Sequence, residues 1–181
     1  MLPLALDLTG RDVLVLGMGR LGAHKARQLL ETGARVHVIS DQLLVEVPEG
    51  VVSTQVRRYR RGDLAGYFLV VSATADATVN DEIVAEAQEG YILLNVVDDP
   101  ARCSFYFTSV YRDGDVIVAV STSGASPSLA QWVRRRIQEL LPSGLGDVAR
   151  TLRDERAALH AAGESTERDW SVRVAQLTKE L

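Results

Sequence analysis

The sequence has a single cysteine, Cys103, and lacks any apolar run long enough to cross a bilayer. One cysteine excludes a disulfide framework and a multi-cysteine zinc site within one chain. The first residues, MLPLALDLTGRD, lack the basic start and long apolar core of a signal peptide. We therefore expect a cytoplasmic protein that makes no contact with a membrane.

Positive charge is also scarce. The sequence carries 20 basic against 24 acidic residues, a net charge of -4, which argues against a nucleic-acid partner. Arginine accounts for 18 of the basic residues. The planar guanidinium suits carboxylate and phosphate, so this bias permits an anionic ligand, although a GC-rich gene would explain it equally well.

Hydrophobic periodicity predicts a sheet with alternating helices in the first half of the chain. Residues 12–16, which are apolar after Asp12, predict a buried strand, and residues 34–39 predict a second one after a helix. Further strands are predicted over 51–58, 68–73 and 91–96. A helix between the last two would begin at a capping pair, Thr78 and Asp81, and end at Gly90. The alternation predicts a Rossmann-type parallel sheet of the α/β class.

The pattern changes after about residue 103. Residues 104–111 and 116–121 predict two strands that form a hairpin. Ser126 and Pro127 are a favoured pair at a helix N-terminus, and the helix would run to about residue 141. Two more helices are predicted, over roughly 145–161 and 165–180.

The segment Gly17-Met18-Gly19-Arg20-Leu21-Gly22 has the GxGxxG spacing and lies between a predicted strand and a helix. The first glycine would permit the tight turn, the second the approach of a pyrophosphate, and the third close packing of helix on strand. Phosphate would lie at the positive end of the helix dipole. A glycine-rich turn without a ligand is the alternative. It does not explain why three glycines are present, since each one costs conformational entropy on folding. We therefore predict a pyridine-dinucleotide site.

An acidic residue about 20 positions after the glycines should bind the ribose hydroxyls. Ser40 occupies the predicted strand end and Asp41 follows it, so Asp41 is the candidate, with a turn residue that caps the strand as an equal alternative. Nearby Arg20, His24 and Lys25 would suit a 2′-phosphate. The sequence favours NAD but leaves NADP open.

Asp98 lies in the segment NVVDD, which ends a predicted core strand. Ligands of open parallel sheets bind outside the carboxyl ends of the strands. A carboxylate there can act as a general base or orient a cationic substrate. Two aspartates before Pro100 are also typical of a simple turn, and spacing alone favours the turn.

Three separated segments make a family resemblance visible. They are LPLALDLTGRDVLVLGMGRLGAHKARQLLETGARVHVIS, NVVDDPARCSFYF and DVIVAVSTSGASPSLAQWVRRRIQELLP. The chain resembles the precorrin-2 dehydrogenase family, the NAD-dependent dehydrogenase and ferrochelatase module of siroheme synthases, over nearly its whole length. It departs from the family pattern at Met18, where the usual turn has glycine, and at Thr122, where a loop serine is usual.

The resemblance implies a Rossmann domain over residues 1–112, a small strand-plus-helix dimerisation domain over 113–144, and a C-terminal helical domain over 145–181. It implies a homodimer that oxidises precorrin-2 to sirohydrochlorin with NAD+, in some members also inserting Fe2+. A protein that binds a dinucleotide or tetrapyrrole without catalysis is the alternative.

The resemblance also implies site residues. Asp98 would be catalytic, and no metal-binding residue is expected. The cofactor would contact Gly17, Met18, Gly19, Arg20, Leu21, Gly22, Ser40, Asp41, Ala73, Thr74, Asp76, Asn95 and Val96. The tetrapyrrole would contact Lys25, Thr122, Ser123 and Gly124. Arg20, Arg102 and Arg112 are candidates for its carboxylates by position, and Cys103 is expected to be a small buried hydrophobe.

Overall fold

The computed structural model describes residues 1–179 and 181. They form two compact units, residues 1–106 and 107–181. The first unit ends before the observed hairpin, whose first strand begins at Ser109. The three-part division implied by the resemblance, with boundaries after residues 112 and 144, stays a prediction.

The first unit is a five-stranded parallel sheet with helices, as the alternating pattern predicts. The strands are β1 (Asp12–Met18), β2 (Arg35–Leu43), β3 (Ser53–Val56), β4 (Leu69–Ser72) and β5 (Leu93–Val96), in the order β3-β2-β1-β4-β5. All neighbouring strands pair in parallel. Two helices, α1 (Arg20–Leu30) and α2 (Ala77–Glu89), and a short 3-10 helix at Pro100–Arg102 complete it.

The centre of the sheet is the core of this unit. Val13, Leu14 and Val15 in β1 have no exposed surface, which explains why an unbroken apolar run forms this strand. Helix α1 buries Gly22, Ala23, Ala26 and Leu29, which recur at helical spacing. The sheet therefore holds the carboxyl ends of its strands in fixed register, and these ends carry the predicted site.

Helix α2 begins differently from the prediction. Asp76 is its N-cap, and the Asp76 carboxylate accepts hydrogen bonds from the amides of Thr78 (3.0 Å) and Val79 (3.2 Å). The predicted capping pair of Thr78 and Asp81 is therefore wrong, because an aspartate two positions earlier already satisfies the first amides. Asp81 forms an ion pair with Arg102 instead.

The described residues of the second unit form a hairpin and three helices. Strands β6 (Ser109–Asp113) and β7 (Val116–Val120) are antiparallel, and α3 (Pro127–Leu140), α4 (Leu145–Ala161) and α5 (Ser171–Thr178) follow. The predicted helix start is confirmed, since the Ser126 hydroxyl accepts a hydrogen bond from the Leu129 amide at 3.2 Å. The last helix begins six residues later than predicted, and residue 180 of its predicted range lies outside the described residues.

The first hairpin strand begins at Ser109, not at Ser104 as predicted. The Ser104 amide donates to the Leu94 carbonyl at 2.8 Å, and the Asn95 side chain donates to the Phe105 carbonyl at 3.0 Å. Residues 104 and 105 thus cover the open edge of β5 in the first unit, which takes them out of the hairpin. Among the helices that the described residues form, none is long and apolar enough to cross a membrane.

Candidate functional site

The predicted cofactor residues of the first unit lie at the carboxyl ends of four strands. Residues 17–22 run from the end of β1 into α1, Ser40 and Asp41 lie near the end of β2, residues 73–76 follow β4, and Asn95 and Val96 end β5. Because all these strands are parallel, their carboxyl ends meet at one edge of the sheet. In open sheets of this kind, ligands bind at that edge.

Two glycines of the turn are required by the protein itself. Gly17 has φ +92°, and a Cβ there would lie 2.9 Å from the Ala73 carbonyl group. At Gly22 a Cβ would lie 2.0 Å from the Gly17 carbonyl oxygen. These contacts agree with the predicted roles of a tight turn and of close packing between helix and strand.

Gly19 is not required in the same way. Its φ of -91° is open to any residue, and the nearest atom to a Cβ there would be Leu44 Cδ1 at 4.0 Å. In the described chain no side chain caps the first amides of α1, which begins after Gly19. Open space beside uncapped amides at a helix N-terminus is what a pyrophosphate needs. The residues therefore fit a dinucleotide.

Ser40 supports the glycine turn from the neighbouring strand. Its buried hydroxyl accepts a hydrogen bond from the Met18 amide (2.9 Å) and donates to the Gln42 carbonyl (2.6 Å). Between the pairs Leu16–Ile39 and Met18–Leu43, β2 carries extra residues and bulges. Asp41 lies exposed in that bulge, inside β2 rather than in a turn after it.

The loop after β4 is held in place by α2. Buried Asn80 accepts a hydrogen bond from the Ser72 hydroxyl (2.7 Å) and donates to the Thr74 carbonyl (3.1 Å). Ala73 and Thr74 are thereby fixed against Gly17, while the Asp76 carboxylate caps α2. Our sequence reasoning missed Asn80, although a polar residue of low helix propensity on the inward face of a helix is a usable signal.

Asp98 follows β5 in a conformation that L-residues rarely adopt. The amide of Asp99 donates to the Val96 carbonyl at 3.2 Å, which closes a four-residue turn, and Asp98 takes its third position with φ +63°. Turns with a positive φ there favour glycine, and most L-residues cost about 1–2 kcal/mol, with aspartate among the better tolerated. The turn favoured by the spacing is present, but an acid occupies the position that suits glycine. Such strain is typical of functional residues.

Lys25 on α1 brings a positive charge to the same region. The ammonium group is half-buried and donates a hydrogen bond to Gln28 Oε1 at 3.1 Å. Burial lowers the pKa of Lys25 below its ordinary value, while the negative charge of Asp98 acts in the opposite direction. The residues predicted separately as catalytic and as substrate-binding therefore influence each other.

Cys103 is more than the small hydrophobe that the sequence suggests. It packs against the core, but its sulfur also lies 3.2 Å from the amide and carbonyl groups of Val96 and 3.3 Å from the Asn95 side-chain nitrogen. Burial is the main cause that raises the pKa of this thiol. The side chain of Asn95 and the backbone of Val96 thus contact Cys103, which fixes both residues at the end of β5.

The remaining predicted substrate residues lie in the second unit, in the loop before α3. The Thr122 hydroxyl accepts from the Ser126 amide (3.1 Å) and donates to the Ser126 carbonyl (3.0 Å). Ser123 and Gly124 are exposed and have positive φ angles of 54° and 84°. The threonine therefore fixes the loop, and the two residues after it present their backbone to solvent.

A parallel sheet whose glycine turn keeps room at a helix N-terminus defines a Rossmann-type dinucleotide-binding protein. Residues 4–109 match a family described as "Putative NAD(P)-binding", and residues 113–140 match "Sirohaem biosynthesis protein central". The chain belongs to this NAD(P)-binding family, which covers more than half of it.

Curated relatives support the resemblance inferred from the sequence. Siroheme synthase of Photorhabdus laumondii is 39% identical over 154 residues, 82% of this chain and 33% of the relative. Siroheme synthase 2 of Aeromonas salmonicida is 36% identical over 174 residues, 93% of this chain and 36% of the relative. The chain spans about a third of the length of these curated relatives.

A solved structure described as "SirC, precorrin-2 dehydrogenase" has the same fold. It matches with a TM-score of 0.71 over 99% of this chain and 88% of that chain, at 24% sequence identity. The predicted fold class, with its parallel sheet, small strand pair and helical tail, is therefore confirmed.

Proposed function

We propose that the chain is an NAD-dependent dehydrogenase that oxidises precorrin-2 to sirohydrochlorin in the synthesis of siroheme. The observation that carries this proposal is Asp98: a carboxylate in a strained turn, at the sheet edge where the glycine turn receives a dinucleotide. The names of the relatives and of the matching structure support the choice of substrate.

We infer that the dinucleotide is NAD rather than NADP. Its pyrophosphate would lie over Gly19 and the first amides of α1, and its adenosine ribose beside Asp41. A carboxylate there accepts hydrogen bonds from both ribose hydroxyls and repels a 2′-phosphate. NAD+ supplies the hydride acceptor for the reaction.

The oxidation removes two hydrogens from the substrate, one as a hydride and one as a proton. The Asp98 carboxylate would take the proton, and bound NAD+ would accept the hydride together with the electron pair of its C–H bond. Lys25 carries the charge that a substrate with eight carboxylates needs beside that base. Asp98 lies in an exposed turn, so its proton can pass on to water.

Asp98→Asn tests this role, because asparagine also tolerates a positive φ and preserves the turn. We expect kcat for precorrin-2 to fall about 10²- to 10⁴-fold while Kd for NAD+ is unchanged. Formation of NADH and the absorption spectrum of sirohydrochlorin would report the rate. An unchanged kcat would refute the role of Asp98. A wild-type protein that binds NAD+ without turning over precorrin-2 would favour the alternative, a binding protein without catalysis.

Insertion of Fe2+ into sirohydrochlorin is a second activity that the name of the relatives favours, since siroheme is an iron tetrapyrrole. Asp98 would again be the base, because the metal displaces the protons of the ring nitrogens. We expect Asp98→Asn to slow the spectral change on adding Fe2+ to sirohydrochlorin. A rate equal to that without protein would show that the chain lacks this activity.

We also infer a cytoplasmic homodimer. A two-stranded sheet is marginal by itself, and the outward face of the hairpin exposes Val110 (36%) and Ile117 (49%). Helix α3 exposes Leu129 and Trp132. A second copy covering these residues would account for their exposure in one chain. Sedimentation velocity should show a dimer, and Ile117→Glu should shift it toward monomer.

A further inference from the structure

The turn that presents Asp98 is tied down on its far side by residues that the reaction itself does not need. Arg102, at the end of the 3-10 helix, contacts two carboxylates. Its Nη2 lies 2.6 Å from Asp81 Oδ1 on α2, and its Nε lies 3.3 Å from Asp99 Oδ2. Arg102 thus bridges a rigid helix to the residue that directly follows Asp98.

This arrangement points to a role for Arg102 other than the one that its position in the sequence suggested. A guanidinium engaged by two carboxylates of its own chain is poorly placed to bind a carboxylate of the substrate. Its effect on the site must therefore act through Asp99. Because Asp99 donates the hydrogen bond that closes the turn, a shift of Asp99 would change the backbone angles of Asp98 directly.

Two further contacts lead to the same turn. The Val97 amide donates to the Ser72 carbonyl of β4 at 2.8 Å, and the sulfur of Cys103 lies 3.2 Å from the Asp99 carbonyl. Asp98 is thus the residue whose neighbours on both sides are anchored. A conformation that glycine would adopt freely needs such anchors when an aspartate occupies it.

We propose that Arg102 is a positioning residue that holds Asp98 in its reactive orientation through the Asp81–Arg102–Asp99 bridge. This proposal deepens the proposed dehydrogenase function and rests on it. The bridge lies at the surface, with Arg102 33% and Asp81 65% exposed in their side chains. Exposed ion pairs contribute little to stability, so its loss should be felt in the reaction rather than in the fold.

The test compares Arg102→Ala and the milder Asp81→Asn with a matched control, Arg61→Ala. Arg61 forms an exposed ion pair with Glu89 at the other end of the same helix. Displacing a reacting group by about 1 Å can cost up to 10²-fold in rate. Because only two exposed ion pairs form the bridge, we expect kcat for precorrin-2 to fall about 3- to 10-fold in Arg102→Ala and less in Asp81→Asn, which keeps the pair with Asp99. Kd for NAD+ and Tm should be unchanged in Arg102→Ala and Asp81→Asn. The control, Arg61→Ala, should keep the kcat of wild type.

A double variant separates positioning from a general structural effect. In the Asp98→Asn background, Arg102→Ala should cause no further loss of kcat, because the group that it positions is already gone. A wild-type kcat in Arg102→Ala, or losses that multiply in the double variant, would overturn the proposal.

An assay without substrate keeps the two proposals distinguishable. Hydrogen exchange of the Asp99 amide should become faster in Arg102→Ala and stay as in wild type in Arg61→Ala. If wild type does not turn over precorrin-2, the proposed function fails, and this exchange rate alone decides whether Arg102 holds the turn. Unchanged exchange would refute it.

Discussion

Alanine substitutions in the glycine turn should separate the needs of the fold from the needs of the ligand. At Gly22 a Cβ would lie 2.0 Å from the Gly17 carbonyl oxygen, whereas ordinary contacts begin near 3.4 Å, so roughly 1.4 Å of movement is required. The clash is between backbone and Cβ, which no side-chain rotation relieves. Overpacking of this kind costs about 3 kcal/mol. For a chain of this size we expect Tm to fall by about 6–12 °C.

Gly19→Ala should preserve stability but weaken binding of the dinucleotide. Its Cβ would meet nothing nearer than 4.0 Å, and its φ of -91° suits alanine. The variant should be as stable as wild type or more stable by about 0.4–1 kcal/mol, through lower entropy of the unfolded chain. The methyl group would instead occupy the space that we assign to the pyrophosphate.

Scanning calorimetry with and without NAD+ measures both effects. At about 100 times Kd, ligand binding stabilises wild type by about 2.7 kcal/mol, and a tenfold weaker Kd reduces this to about 1.4 kcal/mol. We expect Gly19→Ala to lose at least half of the ligand-induced stabilisation. Gly90→Ala, a glycine with an ordinary φ of -86° at the end of α2, serves as the control and should keep all of it. A Gly19→Ala variant that binds NAD+ like wild type would refute the assignment.

Two further predictions concern charge. Asp41→Asn should raise Kd for NAD+ about 10- to 100-fold, because a charged hydrogen-bond acceptor is lost. It should also reduce the preference for NAD+ over NADP+. Titrations in which neither Kd changes would contradict this. Burial lowers the pKa of Lys25 from 10.5, so the unfolded chain binds this proton more tightly than the folded one. The folded state therefore gains stability as pH rises from the lowered pKa toward 10.5. Lys25→Met should therefore be more stable at neutral pH, lack this alkaline rise in urea unfolding, and have a higher KM for precorrin-2. A less stable Lys25→Met at neutral pH would be inconsistent with that sign.

Local patterns predicted most of the first unit. Apolar runs such as residues 13–16 form strands wherever the sheet is covered on both faces. The glycine spacing identifies the turn because the spacing is itself local, as is the contact of Gly22 with Gly17. The start of α2 was predicted two residues too late. Several side chains could cap a helix there, and the choice depends on which carboxylate reaches the amides.

Other features depend on residues far apart in the sequence. Residues 104 and 105 have the composition of a strand but lie against the edge of β5, because their backbone groups satisfy Leu94 and Asn95 there. The support that Ser40 gives to Met18 spans 22 positions. No periodicity reports such contacts, since each depends on how strands align across the sheet.

The sequence by itself determined the class of fold and the dinucleotide turn, because glycine spacing and hydrophobic periodicity are local properties of the chain. The candidate base, Asp98, came from the family resemblance, since spacing alone favoured a simple turn. Only the tertiary structure decided what each residue contacts there. It distinguished Gly17 and Gly22, which packing requires, from Gly19, which leaves room for a ligand. It also placed Asp98 in a left-handed turn and engaged Arg102 with Asp81 and Asp99. The physical reason is that strain, burial and ion pairing arise between elements and exist only once these have packed.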